Sequence, residues 1–230
     1  IAADIVPLID ENRVLSFYGL QQLNASPRIG LKALMDVANR KDIFTISDVV
    51  FGLAPRINAA GRIEHGNKAV ELLVQQDFSI AKEKADYIDN HNFFRKELDK
   101  SITQEALAMI VPGANSTVVC SEKWHKGVVG IVASRLIETH YRPTIVLTES
   151  NGKLTGSARS VSGFDIYNAI DACSDLLEQF GGHKYAAGLT LKKENLPAFI
   201  QCFEKVVSTT ITNEMQVPKI NIDLEMPMED

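Results

Sequence analysis

The feature that most constrains the fold of this 230-residue chain is a stretch from Phe78 to Ile110 that contains neither glycine nor proline. Apolar residues recur along it at the three- and four-residue spacing of one helix face. Pro112 and Gly113 then end the pattern. At 1.5 Å per residue, about 33 residues would span roughly 50 Å, which is more than a small domain needs. The stretch therefore predicts one long helix that connects two domains; the alternative is a long amphipathic helix inside a single helical domain.

The sequence before this helix has a helical pattern, whereas the sequence after it alternates between strands and helices. Upstream, Ser47 can cap a short helix, and further helices are predicted at 13–23, 30–38 and 67–74. Downstream, β-branched runs have the spacing of a βαβ unit. The predicted strands are 117–120, 144–147, 153–158 and 186–191, and the predicted helices are 127–139, 165–180 and 196–212.

These elements predict an α/β fold class with four parts. A helical part covers 1–76, and the long connecting helix covers 77–111. A mixed sheet flanked by helices follows at 112–213. A linker and the opening strand of a further domain occupy 214–230, where Ile220–Leu224 alternates between apolar and polar residues.

Composition and charge restrict the function classes. No apolar run approaches the roughly 20 residues of a membrane span, and no signal-peptide pattern opens the chain, so a cytoplasmic location is expected. Cys120, Cys173 and Cys202 are widely spaced in apolar segments, which favours buried thiols over a disulfide framework or a metal site. The net charge of −5 argues against nucleic-acid binding by overall basicity. Residues 123–160 nevertheless carry a net charge of +4, which either attracts a polyanion or reflects scattered surface charge.

Four clusters of polar and small residues are predicted to lie in loops, three of them just beyond strands, where open α/β sheets bind ligands. The first cluster is Pro55–Arg62, in which Arg56, Asn58 and Arg62 alternate with small residues. Arginine forks suit a phosphate, so this segment is a candidate phosphate contact. The alternative is a surface loop of solvated arginines.

The second cluster, Lys123–Gly130, leads into a predicted helix, whose N-terminus carries a partial positive charge. His125 can meet an anion there. Trp124 can stack on a base or, with equal weight, fill a hydrophobic interior.

The third cluster is Thr155–Ser160. Alternation along a strand puts Ser157 and Arg159 on one face, with Ala158 and Ser160 on the other. Arg159 is therefore a candidate phosphate clamp.

The fourth cluster is Phe180–Gly188. Gly181 and Gly182 permit positive φ and close approach of backbone N–H groups to a ligand, and His183 adds an imidazole. The alternative is a helix that ends at Phe180 with a glycine cap; both are compatible with a phosphate cradle at a helix terminus.

Five segments, in this order, resemble the RecJ family of single-strand-specific DNA exonucleases, within the DHH phosphoesterase superfamily. They are Ala3–Leu8; Pro55–Arg62, similar to PRxNAAGR; Trp124–Ala133, similar to WHxGVxGIVA; Gly156–Ser160 with Gly163–Asp165, similar to GSxRS…GFD; and Gly181–Gly188, similar to GGHxxAAG of the DHH-associated domain. The resemblance covers nearly the whole chain. It implies that 1–76 end a DHH catalytic domain, that 112–213 form the DHH-associated domain, and that 214–230 begin an oligonucleotide-binding fold.

The resemblance also implies the activity. Such an exonuclease removes nucleotides from the 5′ end of single-stranded DNA in DNA repair and recombination, by two-metal hydrolysis with Mn²⁺ or Mg²⁺. Single-stranded DNA is the implied substrate, with single-strand-binding protein and a helicase as protein partners and no membrane. Asp4 is the implied metal ligand, and Asp4 and His183 are the catalytic candidates. The implied phosphate and nucleic-acid contacts are Arg56, Asn58, Arg62, Trp124, His125, Ser157, Arg159, Ser160, Gly181, Gly182 and His183.

The other metal ligands of the family, including its Asp-His-His triplet, are expected upstream of Ile1, because no such triplet occurs in these residues. The chain is therefore expected to lack most of the catalytic domain, to bind no metal and to be inactive by itself. Two alternatives stay open: a DHH-superfamily phosphodiesterase acting on short oligonucleotides or cyclic dinucleotides, and a single-strand-binding module without catalysis.

Overall fold

A computed structural model of the chain describes residues 1, 3, 6–38, 43–220, 222 and 224. Residues 1–98 and 99–230 form two compact units. Asp4, the implied metal ligand, lies outside the described residues, as do two of the five residues of the strand predicted at 220–224. Of the helices that the structure describes, none combines the length and the hydropathy that crossing a membrane requires.

The first unit is helical. Its core contains the fully buried Leu34, Leu72 and Ile88. Its helices are α1 Asp10–Ala25, α2 Ile29–Val37, α3 Ile46–Asp48, α4 Ala54–Ile63 and α5 Asn67–Leu73, with a π-helical turn at Val49–Leu53 between α3 and α4.

Two local predictions in this unit are wrong. The segment Pro55–Arg62 is not a loop but most of α4, with Pro55 in the first turn, where its missing N–H is tolerated. Ser47 does not cap α3. Thr45 does so, because its hydroxyl accepts from the Asp48 N–H while the Asp48 carboxylate accepts from the Thr45 N–H, at 2.8 Å.

The long helix predicted at 78–110 is confirmed as α6, Phe78–Ala108. Its residues up to Leu98 belong to the first unit and those from Asp99 to the second.

The second unit is built on one five-stranded sheet. Its strands are β1 Thr117–Cys120, β2 Thr144–Ser150, β3 Lys153–Arg159, β4 Gln179–His183 and β5 Ala186–Leu191, and its helices are α7 Val129–Thr139, α8 Ile166–Asp171 and α9 Leu196–Thr210. The strand order is β1-β2-β3-β5-β4. β1 and β2 are parallel and joined through α7, whereas the other neighbours are antiparallel. The predicted mixed sheet flanked by helices is therefore confirmed.

The helix predicted at 165–180 is wrong beyond residue 171. α8 ends at Asp171, and Gln179–His183 is the edge strand β4, which pairs with β5. Two glycines lower the helix propensity of this segment, and the free edge of β5 supplies the backbone partners that a helix would supply internally. The fourth cluster, Phe180–Gly188, which we call the glycine–histidine segment, is consequently not a helix terminus.

The two faces of the sheet are covered differently. One face packs on α8 and α9, where Phe199 and Phe203 are fully buried with ring centroids 6.0 Å apart. On the other face α7 packs on β2 and β3 through buried Val132 and Leu136. The residues of β5 and β4 on that second face remain exposed or half-buried.

Glu204 of α9 fastens the segment that precedes β1. Its carboxylate accepts from the Asn115 N–H at 2.8 Å, from the Ser116 N–H at 2.9 Å and from the Ser116 hydroxyl. Burial alone would raise the pKa of Glu204, but the hydrogen bonds from Ser116 and Asn115 outweigh it and lower the pKa below 4.5.

Candidate functional site

The second face of β3, β5 and β4 brings together residues of the third and fourth clusters. One cross-strand row is Arg159, Ala186 and His183, and the next is Ser157, Gly188 and Gly181. We call this surface the open face. Adjacent strands lie about 4.8 Å apart, so the backbones of the first and third residue in each row are about 10 Å apart. Three polar side chains, those of Arg159 and Ser157 on β3 and His183 on β4, thus border a floor with no side chain larger than a methyl group.

Arg159 and Ser157 lie on the same side of β3, which confirms their predicted alternation. The Arg159 Nη1 donates to the Ser157 Oγ at 2.7 Å and to the Ala158 carbonyl oxygen at 2.8 Å. Gly130, in the first turn of α7, packs against them. A Cβ on Gly130 would lie 2.9 Å from the Arg159 Nη2 and 3.1 Å from the Ser157 Oγ.

This packing sets a guanidinium against the N-terminus of α7. Val128 is the N-cap residue and no side chain caps this helix end. The positive end of the helix and the guanidinium therefore act on the same volume, and both favour an anion.

The two histidines share one local geometry. The His125 Nδ1 accepts from the Gly127 N–H at 3.1 Å, and the His183 Nδ1 accepts from the Tyr185 N–H at 3.2 Å. A neutral imidazole that accepts at Nδ1 carries its proton on Nε2, so each ring has an Nε2–H donor suited to a phosphate oxygen. His183 is exposed and His125 is half-buried, in the loop that leads into α7.

The two adjacent glycines have different reasons to be glycine. Gly182 has φ of +150°, and a Cβ there would lie 2.3 Å from the Ala186 carbonyl oxygen, so the hairpin itself excludes a side chain. A Cβ on Gly181 would meet nothing within 4 Å. The fold therefore does not require glycine at Gly181, and the backbone there is open to the approach of a ligand.

Ser160 is engaged by the fold. Its hydroxyl donates to the Phe164 carbonyl oxygen at 2.8 Å, and its N–H donates to the Tyr185 carbonyl oxygen at 3.0 Å. These bonds hold the turn before α8, which Asp165 caps by accepting from the Asn168 N–H at 3.0 Å. Ser160 thus shapes the turn beside the open face, and its hydroxyl proton is already donated within the protein.

Trp124 fills the interior. Its side chain is 5% exposed, and its indole N–H donates to the Glu105 Oε2 at 2.9 Å. Its carbonyl oxygen accepts from the Thr148 hydroxyl at 2.6 Å. Of the two alternatives for Trp124, burial favours the hydrophobic plug over base stacking. Glu105 was not among the predicted site residues, because a carboxylate on a helix gives no signal of a partner 19 residues away.

Arg56 is also engaged within the protein. Its Nε donates to the Asp89 Oδ1 at 2.7 Å and its Nη1 to the Gly52 carbonyl oxygen at 2.7 Å, with the side chain 16% exposed. The ion pair neutralises the guanidinium and joins α4 to α6. Asn58 and Arg62 are exposed one turn apart on α4. These three residues belong to the first unit and the open face to the second.

Ion pairs leave the positive charge between residues 123 and 160 at its counted value. Arg135 pairs with Glu138 at 3.2 Å within this range, and of the partners outside it Glu178 pairs with Lys153 while Lys193 pairs with Glu149 at 2.6 Å. Arg142 donates to the Thr117 hydroxyl at 2.7 Å and to backbone carbonyl oxygens, and burial lowers the pKa of its guanidinium. Arg142 is thus engaged within the fold, whereas Arg159 lies on the open face.

The described residues do not fit a metal site. Among them, no three or more histidine, cysteine, aspartate or glutamate side chains form a group that could hold a metal ion. The implied ligand Asp4 falls outside that part of the chain. The residues of the open face instead have groups suited to binding a phosphate.

Comparison with known proteins agrees with this geometry. A family model described as the DHHA1 domain matches residues 111–209, the region that contains the open face. The single-stranded-DNA-specific exonuclease RecJ of Bacillus subtilis is 42% identical over 99% of this chain and 30% of that protein. RecJ of Haemophilus influenzae is 36% identical over 92% of this chain and 39% of that protein. The crystal structure of RecJ in complex with Mg²⁺ from Thermus thermophilus matches with a TM-score of 0.84 at 33% identity, over 91% of this chain and 33% of that one.

Residues 111–209, which contain the open face, match a DHHA1 domain, and the helical unit and α6 precede them along the chain. Relatives of 36% and 42% identity that are named RecJ match nearly the whole length of this chain, so the chain is homologous to a part of RecJ. The chain spans 30% and 39% of the length of those two relatives.

Proposed function

We propose that this chain is the substrate-binding side of a single-strand-specific DNA exonuclease and that the open face holds a phosphate of the DNA. The observation that carries the proposal is the row Arg159, Ala186 and His183, in which an arginine and a histidine flank a floor of small residues beside the α7 N-terminus. The RecJ relatives are named single-stranded-DNA-specific exonucleases, which supports this substrate.

Each residue has a role in the proposal. Arg159 neutralises a phosphate and donates to its oxygens, while Ser157 orients the guanidinium. The Nε2–H groups of His125 and His183 donate to oxygens of the same or the neighbouring phosphate. Gly181 lets the DNA strand approach the backbone of the sheet. Contacts of this kind position a nucleic acid and read no bases, so little sequence preference is expected.

In the proposal, the whole enzyme hydrolyses DNA from the 5′ end in repair and recombination, in the cytoplasm, and works with single-strand-binding protein and a helicase. Solved structures of the Thermus thermophilus RecJ contain Mg²⁺ or Mn²⁺, which supports a divalent metal as its cofactor. Asp4 is proposed as one ligand, and Asn58 and Arg62 as contacts to flanking backbone. The described residues do not fit a metal, so their role is to bind and orient the substrate. The proposal includes the domain bounds predicted from the sequence, which are 1–76, 77–111, 112–213 and 214–230.

The test is digestion of a long 5′-labelled single strand by the full-length enzyme and its Arg159→Ala and His183→Ala variants. Loss of one charge-assisted hydrogen bond costs about 1.5–3 kcal/mol, so kcat/KM should fall roughly 10- to 150-fold. For Arg159→Ala, the slope of log affinity against log salt should also become shallower by about 0.7. Ser134→Ala, on the exposed side of α7, is the control and should leave both values unchanged.

The outcomes separate the alternatives. Unchanged kinetics and salt slope in both variants would remove the open face from substrate binding. Activity confined to dinucleotides would instead support the phosphodiesterase of short substrates. If the full-length protein bound single strands without hydrolysing them, the result would support the single-strand-binding module without catalysis.

A further inference from the structure

Two cysteines approach each other on the side of the sheet away from the open face. Cys173 follows the C-terminus of α8, and Cys202 lies in α9. Their Sγ atoms are 2.7 Å apart, closer than two unbonded sulfur atoms pack and near the separation of about 2.05 Å in a disulfide. Both side chains contribute to the α8–α9 packing against the sheet.

The two thiols differ in access to solvent. Cys202 is half-buried, so a small reagent can reach it, whereas Cys173 is 2% exposed. Burial, with the neighbouring Cys202, raises the pKa of the Cys173 thiol, which keeps it protonated and unreactive towards reagents in solution. A reagent therefore meets Cys202 first, and Cys173 is the thiol next to it.

We propose that Cys173 and Cys202 form an oxidation site at which a peroxide converts the two thiols into a disulfide. The Cys202 thiol gives up its proton as its sulfur attacks the peroxide, and the O–O bond breaks. One oxygen stays on the sulfur as a sulfenic acid, and the other leaves with that proton as water or alcohol. The Cys173 sulfur then attacks the Cys202 sulfur, the S–O bond breaks, and the hydroxyl leaves with the Cys173 proton as water. The two thiols lose two electrons in total and the peroxide gains them.

The position of the bond gives it a structural consequence. Cys173 and Cys202 are 29 residues apart, and the segment between them contains the whole of β4 and β5. A disulfide would therefore close the base of the hairpin that carries Gly181 and His183. Closing a loop of this length restricts the unfolded chain and stabilises the folded one. The inference rests on the sulfur geometry alone and does not depend on the proposed function.

The experiment exposes the full-length protein in its folded state to hydrogen peroxide, blocks remaining thiols with N-ethylmaleimide, and maps the peptides by mass. A peptide pair that joins Cys173 to Cys202, lighter by two hydrogen atoms and separated by dithiothreitol, is the expected product. Cys120→Ser is the matched control and should keep the linked pair. Cys173→Ser should abolish it and leave a sulfenic acid on Cys202 that dimedone traps.

Stability provides the second readout. Oxidation should raise Tm by about 5–10 °C in the unmodified protein and in Cys120→Ser, and should not raise it in Cys173→Ser or Cys202→Ser. Absence of the linked pair in the folded protein would overturn the proposal. So would an equal rise of Tm in Cys173→Ser.

Discussion

Gly130→Ala tests the link between the α7 N-terminus and Arg159 most directly. The new Cβ would lie 2.9 Å from the Arg159 Nη2 and 3.1 Å from the Ser157 Oγ, whereas ordinary contact begins at 3.4 Å. The guanidinium must therefore retreat by about 0.5 Å, which is the tolerance within which a binding site has to hold its groups. Because the obstacle is the far end of a flexible side chain, the fold itself can absorb the change.

The substitution has two effects of opposite sign. Alanine favours a helix over glycine by about 0.8–1 kcal/mol, so stability should not fall, and Tm should rise by up to about 4 °C. A misplaced Arg159 loses its charge-assisted hydrogen bond to the phosphate, about 1.5–3 kcal/mol. The value of kcat/KM on single-stranded DNA should therefore fall roughly 10- to 150-fold.

The assay measures kcat/KM on a 5′-labelled single strand and Tm for Gly130→Ala in the full-length enzyme. Ser134→Ala raises helix propensity on the same helix and should leave kcat/KM unchanged. Adding Gly130→Ala to Arg159→Ala should cost little more, because both changes act through one guanidinium. A lower Tm with unchanged kcat/KM, or full additivity in the double variant, would refute the reasoning.

Two further predictions concern the hairpin and the α9 anchor. Gly182→Ala should lower the stability of the protein by about 2 kcal/mol or more, because the Cβ would lie 2.3 Å from the Ala186 carbonyl oxygen. Gly181→Ala should leave Tm unchanged and weaken only DNA binding. Thermal melts measure the stability of the two variants, and oligonucleotide titrations measure their DNA binding. Glu204→Gln should cost about 1–3 kcal/mol at neutral pH in chemical unfolding, since an amide replaces a carboxylate that faces several donors. Because folding lowers the pKa of Glu204, its contribution to the free energy of unfolding is complete above the unfolded pKa near 4.5 and is lost as the pH falls through the lower folded pKa. If the difference in unfolding free energy between the unmodified protein and Glu204→Gln grew below pH 4, this reasoning would be contradicted.

Periodicity predicted the elements whose own residues carry the signal. α6 and the strands at 117–120 and 186–191 are where the sequence predicts them, because helical stripes and β-branched runs are local patterns. The errors have a common cause. Gln179–His183 is a strand because β5 offers it an edge, and Pro55–Arg62 is a helix whose Arg56 is paired with Asp89, 33 residues away. No local pattern contains those partners.

The sequence by itself determined that Ser157 and Arg159 share one side of a strand, because side chains alternate with a period of two. It also marked the glycine–histidine segment and the loop before α7 as chemically unusual. Only the tertiary structure decided that β5 lies between β3 and β4, and this order brings Arg159 and His183, 24 positions apart, to one face. Strand order and register are fixed by backbone hydrogen bonds and core packing between distant segments, as is the burial of Trp124, and these interactions exist only once the whole domain has folded.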